Sequence, residues 1–272
     1  MSSASLRWEK MNLLLPGMYF SADSILHRLD PRVKMGAAMV LMVLPFAARH
    51  PIGHLLTVGL VGGAAVLARA PWRALLGTLR TVFWLGLFMV FFYFFTTPGR
   101  PLVTLGGVTV TLEGLLAGAL QVYRLGLLAV VAALLTYTTS PLQLTHGLEA
   151  MLSPLARLGL PVRELGMVLT IALRFVPTFF EEIETISRAQ KARGVDLSSG
   201  APWRRIRNTV PVFVPLFLSA IWRAEELAVA MEARGFRCQP HRTRLYRLAL
   251  RRADGIAALI VLACGIAGII VR

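Results

Sequence analysis

A set of apolar blocks, too long and too poor in charge for a water-soluble fold, restricts this chain more than any other feature. They run over about 33–48, 52–68, 81–97, 112–136 and 253–271. A helix crossing the hydrocarbon of a bilayer takes about 20 apolar residues, and the first two blocks are at the short end of that range. Composition agrees: 56% of the 272 residues are hydrophobic, only 16% are charged, and the mean hydropathy is +0.65. A soluble domain is closer to half apolar, with about a quarter of its residues charged. The sequence therefore predicts an all-α polytopic membrane protein with about five transmembrane helices.

Charge orients the spans. Lys and Arg number 29 against 14 Asp and Glu, a formal net charge of +15. In a soluble chain that excess would suggest nucleic acid, but no aromatic-basic recognition motif accompanies it. Here Arg28, Arg32 and Lys34 precede the first span, Arg69, Arg73 and Arg80 separate the second from the third, and 17 Lys and Arg fall between 137 and 252. Basic residues are retained on the cytoplasmic side, which places segment 1–32 and region 140–252 inside. Spans one to four then occupy 33–139, and the last span 253–272. Segment 101–111 alternates apolar and polar residues around Gly106-Gly107 and reads as a small hairpin on the outer face. Residues 1–29 carry charge throughout without a long apolar core, so no secretory signal is expected. Cys238 and Cys264 show no metal or disulfide spacing.

Two further apolar runs, 165–180 and 210–222, are short and contain proline, and the first carries Arg174. If both crossed, Lys191, Arg193, Arg204, Arg205 and Arg207 would lie outside, against the charge rule. They read instead as helices in or under the inner membrane surface.

That region holds an internal repeat. Phe175-Val176-Pro177 is echoed by Phe213-Val214-Pro215, and acidic pairs follow, Glu181-Glu182 and Glu225-Glu226. Each copy ends on Ala-Arg-Gly: Ala192, Arg193 and Gly194, then Ala233, Arg234 and Gly235. The blocks are 38 residues apart and the endings 41, a difference of about one helical turn. Ile221, Ala224, Ala228 and Met231 form a stripe at helical spacing, as Ile183, Ile186 and Ala189 do more weakly. Both stripes stop at a glycine, the residue best able to close a helix in the left-handed conformation. Each arginine then sits in the last turn, where the helix dipole favours a cation. Helix-ending chemistry alone would explain one copy. Two copies, each on an amphipathic helix expected to start from its FVP block, point to a pair of docking ends whose guanidinium can bind carboxylates bidentately.

These features resemble the T component of energy-coupling factor (ECF) transporters, the family that includes the cobalt-uptake CbiQ group. The likeness rests on HRLDPRVK at 27–34, Arg124 in the fourth span, TYTTSP at 136–141 and both Ala-Arg-Gly ends; residues 1–20 match none of it. It implies a bacterial inner-membrane coupling subunit with two long cytoplasmic coupling helices. Two ABC-type ATPase subunits would take Ala192–Gly194 and Ala233–Gly235. A separate membrane-embedded S component, binding a vitamin or a transition-metal ion such as cobalt or nickel, would meet the helices around Phe175, Pro177, Phe213, Pro215, Ile221 and Met231. ATP would be held by the partners, leaving this chain without a cofactor, metal or catalytic site of its own.

Other residues invite bland readings. Arg124, near the middle of a span, is costly there and should face protein, as a pin to backbone carbonyls or as a partner contact. His50 and His54 stand four apart, but Pro51 lies between them and no other ligand type is near, so a loop and helix-start pair is expected. Gly59, Gly62 and Gly63 suggest close helix packing. Phe91–Phe95 suits lipid, core or an S component. Glu181, Glu182 and Glu184 precede Arg188 and Lys191 at helical spacing and read as a solvated, salt-bridged face. The alternatives are a permease of an ordinary ABC importer, whose EAA-type loop is missing here, and a membrane-embedded enzyme acting on lipids or phosphates, for which those glutamates are the only candidates.

Overall fold

Local chemistry sets the helix boundaries. In the computed structural model, which describes residues 24, 26–48, 50–97, 101–105, 108–195, 202–236 and 251–270, Asp30 caps α1 (Pro31–Ala47) by accepting the Arg32 N–H at 2.9 Å. Proline opens both α1 and α2 (Pro51–Leu67), where its missing N–H costs nothing. The long α3 (Trp72–Thr96) leads into a hairpin of β1 (Pro101–Leu105) and β2 (Val108–Thr111), antiparallel with Val103 opposite Val110 and Leu105 opposite Val108. Thr111 joins the hairpin to α4 (Leu112–Thr138). Its hydroxyl donates to the Thr97 carbonyl at 2.8 Å and accepts the Gly114 N–H at 3.2 Å. Ser140 and Gln143 cap α5 (Pro141–Leu152) reciprocally, each side chain taking the other's backbone N–H. A 3-10 turn (Ser153–Leu158) precedes α6 (Val162–Ala192), and α7 (Pro202–Ala233) and α8 (Arg252–Ile270) complete the order.

Helices α1, α2, α3, α4 and α8 occupy the five apolar blocks, α3 starting nine residues before its block at Trp72, and the hairpin forms where alternation placed it. Both α3 and α4 are long and apolar enough to cross a membrane, and α2 is a shorter apolar helix. Large side chains such as Phe83, Trp84, Phe88, Phe91 and Phe92 stand exposed on α3, as hydrocarbon surroundings require. Gly106, Gly107, Cys238 and segment 1–20 lie outside the described residues.

The chain divides into two units, Met1–Met151 with Leu248–Arg272, and Leu152–Arg247. The first is a helical bundle around Ala38, Leu41, Val61, Ala68, Val131 and Leu134. Glycine sets its closest approaches. A Cβ on Gly114 would stand 2.7 Å from the Tyr93 carbonyl oxygen, one on Gly118 3.0 Å from Val90 Cα, and one on Gly53 3.0 Å from the Gly268 oxygen. The packing expected at Gly59, Gly62 and Gly63 is not there: a Cβ on any of them would meet nothing within 4 Å. Those three share an exposed face of α2, so the close contacts go to glycines on the faces turned inward.

One end of the bundle is tied by buried charge. The Asp30 N–H donates to Asp254 Oδ1 at 2.8 Å, and Asp254 Oδ2 accepts the Arg251 N–H at 2.6 Å. Beside them Lys34 Nζ donates to the carbonyls of His27 at 3.1 Å and Thr138 at 3.0 Å. The HRLDPRVK and TYTTSP motifs thus meet through one ammonium group. The starts of α1 and α8 and the end of α4 all lie at this end, so α1 and α8 run in the same direction. The hairpin lies at the far end of α4, about 40 Å away along its axis.

Candidate functional site

The second unit is built around two long helices. Pro177 lies inside α6, and Pro211 and Pro215 inside α7. This corrects two expectations. The runs 165–180 and 210–222 are not separate short helices, and the FVP blocks do not start the helices. Each run is continuous with the stripe that follows it, in one helix of 31 residues and another of 32. An internal proline forfeits one hydrogen bond and strains a turn, but long flanking helix on both sides can hold the backbone helical.

Both helices end in the same way. At the end of α6 the Gly194 N–H donates to the Lys191 carbonyl at 3.0 Å and the Val195 N–H to the Gln190 carbonyl at 3.0 Å. At the end of α7 the Gly235 N–H donates to Glu232 at 2.8 Å and the Phe236 N–H to Met231 at 2.9 Å. Gly194 has φ +85° and Gly235 φ +66°. Two crossed bonds closed by a left-handed glycine make a Schellman ending, which uses up carbonyls that would otherwise point into solvent. Arg193 and Arg234 occupy the C-cap position in each case. Both side chains are exposed, and neither guanidinium takes a partner among the described residues.

A brace joins the two helices near their middles. The Ser219 hydroxyl donates to Glu182 Oε1, and Arg223 Nη2 lies 3.7 Å from Glu182 Oε2. The Arg223 guanidinium carbon also stands 5.7 Å from the centroid of the Phe175 ring. Glu182 is therefore not part of a solvated face, whereas Glu184 is, pairing with Arg188 one turn on. A signal for this was present: Phe175, Phe179 and Glu182 fall at i, i+4 and i+7, on one helix face. Arg193 lies 11 residues beyond Glu182, and Arg234 lies 11 beyond Arg223. Each docking end is thus about 16 Å along its own helix from the brace.

On both sides of the brace, apolar residues of the two helices lie open. Ile183 and Ile221 are exposed, as are Phe213, Pro177 and Pro215, while Phe175 and Met231 are half-buried. Phe213 and Phe217 stack with centroids 6.3 Å apart. Trp222, Phe217 and Phe180 add further uncovered ring surface. A contiguous apolar surface of this kind marks a contact site for protein or lipid.

In the bundle, Arg124 does not pin carbonyls. Its guanidinium carbon stands 5.5 Å from the centroid of the Phe46 ring, and its Nε is buried without a hydrogen-bond partner. Ring contact stands where backbone bonds were expected, and a cation over a ring face is attracted by the ring quadrupole. Next to it the Tyr123 hydroxyl donates to the His54 carbonyl at 3.0 Å, with the two rings edge to face. His50 is the N-cap residue of α2, the helix-start position expected for it.

These features define an all-α membrane protein that carries a braced pair of long helices with matched arginine ends. The family described as Cobalt transport protein (CbiQ) matches residues 22–245 of this chain. The energy-coupling factor transporter transmembrane protein EcfT of Acidaminococcus fermentans is 42% identical over 247 residues, covering 91% of this chain and 92% of the relative. The protein of the same name from Thermanaerovibrio acidaminovorans is 42% identical over 262 residues, covering 96% of both chains. That from Limosilactobacillus fermentum is 37% identical over 249 residues. The chain belongs to the EcfT/CbiQ family, the transmembrane T components of ECF transporters. Its relatives are named as transporter components rather than as enzymes.

Proposed function

We propose that this chain is the coupling subunit of an ECF-type importer, linking ATP hydrolysis by two partner ATPases to uptake of a vitamin or transition-metal ion held by a separate S component. The observation that carries the reading is the symmetry of the second unit. Two helices end in identical Schellman caps, each presents an exposed, uncommitted arginine, and each end is the same 11 residues from one brace. A C-cap arginine is held by the helix dipole but keeps its planar fork free for a carboxylate. One end would dock in each ATPase. ATP binding draws the ATPases together, so the two ends approach and the helices rotate about Glu182, Ser219 and Arg223. The open apolar stripes, gripping the S component, convert that rotation into its tilt or release.

In this reading segment 1–32 and region 140–252 face the cytoplasm, 33–139 and 253–272 form the five spans, and the hairpin faces outward. The closed end of the bundle, with Lys34, Asp254 and Thr138, is then the cytoplasmic end.

Charge reversal tests the docking. Arg193→Glu and Arg234→Glu each place a carboxylate where the partner offers carboxylates, a loss on the order of 2–5 kcal/mol per site. Each single variant should lower ATPase co-purification strongly, and the double variant should abolish it, with the membrane yield of this chain unchanged. Wild-type recovery of ATPase by both variants would overturn the assignment.

A further inference from the structure

Near its charge-tied end, the bundle carries an apolar groove of about 210 Å³ between α1 and α8, lined by Val33, Gly36, Ala37, Val40, Ala258, Val261 and Leu262. We propose that this groove binds one anionic phospholipid, with an acyl chain along the lining residues and the phosphate on the arginines at its mouth.

Three observations carry the assignment. The groove starts within a turn of the first residue of α1 and extends about 10 Å along it, the depth of the upper acyl chain below a headgroup. A partner helix would need a longer track, whereas a lipid places its first methylenes at this level. Second, the mouth is cationic: the adjoining starts of the two helices bring Arg32, Lys34, Arg251 and Arg252 together with Asp30 and Asp254. Both acids are committed, because Asp254 accepts the Asp30 and Arg251 N–H groups and Asp30 accepts that of Arg32. Third, Arg32 Nε is buried with no hydrogen-bond partner, while Arg251 and Arg252 stand exposed. Arg32 lies one turn before Gly36, which meets nothing within 4 Å of where a Cβ would stand. A phosphate at this level would give the Arg32 Nε–H an acceptor and neutralise the convergent charge, the chemistry by which basic pockets between membrane helices hold anionic headgroups.

The test uses the full-length chain in neutral detergent, with lipid binding read by native mass spectrometry and by the shift in thermal unfolding. Phosphatidylglycerol should be retained and stabilise the protein, and phosphatidylcholine of the same chains should bind more weakly. Arg32→Gln is expected to weaken phosphatidylglycerol about fivefold and leave phosphatidylcholine unaffected, since each arginine at an anionic headgroup contributes about that factor. Gly36→Leu fills open space rather than packed core, so it folds, and it should displace both lipids. The proposal is overturned by equal binding of the two lipids to the unaltered protein, by undiminished phosphatidylglycerol on Gly36→Leu, or by inorganic phosphate alone giving the full stabilisation.

Discussion

The two units of this chain solve opposite problems with the same element. In the bundle, helices approach until glycine is obligatory, polar groups are paired in a buried cluster, and a hydrophobic core closes over them. In the second unit two helices of more than 30 residues share a polar brace at Glu182 and leave apolar stripes and arginine ends uncovered. The bundle closes a core of its own. The helix pair leaves its apolar stripes open, a surface suited to contact with protein or lipid.

That contrast is broken most forcefully at Lys34. Its ammonium ties the start of α1 to the end of α4 and is acted on by the charges of Asp254 and Asp30. Lys34→Met keeps the apolar stem, strands the His27 and Thr138 carbonyls and removes one cation beside the buried Asp30 and Asp254 carboxylates. Removing one side of a buried charge cluster costs about 3–5 kcal/mol. A large fall in thermal unfolding temperature of the purified chain is expected, and an unchanged midpoint would mean that the cluster is not what closes the bundle.

Glycine sharpens the comparison at a smaller scale. Gly118→Val forces a side chain toward Val90 Cα and should cost about 1–3 kcal/mol by overpacking. Gly62→Val, on the open face of α2, should stay within about 0.5 kcal/mol. Thermal unfolding of the two variants side by side decides the point, and equal losses would contradict the packing described above.

What the sequence revealed follows the same division. Spans, hairpin and left-handed helix ends were legible because hydropathy, alternation and Ala-Arg-Gly are local signals. The direction of close packing was not: Gly62 and Gly118 look alike in sequence, and only the neighbouring helix tells them apart. Proline misled in a specific way, since Pro177 and Pro215 suggested helix starts where uninterrupted flanking helix absorbs them. Arg124 stood out as a cation within a span, but the Phe46 ring that it meets lies 78 positions away and carries no local mark. Asp254 went unnoticed because one acid at the head of an apolar span resembles an ordinary N-terminal charge.

A small expected change in stability falls on the brace, and it separates fold from function most cleanly. Glu182→Gln keeps an acceptor for the Ser219 hydroxyl but removes the charge facing Arg223. A half-exposed pair of this kind contributes only about 0.2–1 kcal/mol, so thermal unfolding should barely move. Assembly should also survive, because the arginine ends are about 16 Å from the substitution. If the brace is the pivot that relates the two ends, the assembled Glu182→Gln complex should hydrolyse ATP while importing less substrate per ATP than the unaltered complex. Restoring the opposite polarity with Glu182→Arg and Arg223→Glu together should recover part of that ratio, since the pair is remade with its charges exchanged. An import-to-hydrolysis ratio equal to that of the unaltered complex would show that the two helices act independently, and that the exposed stripes rather than the brace carry the coupling.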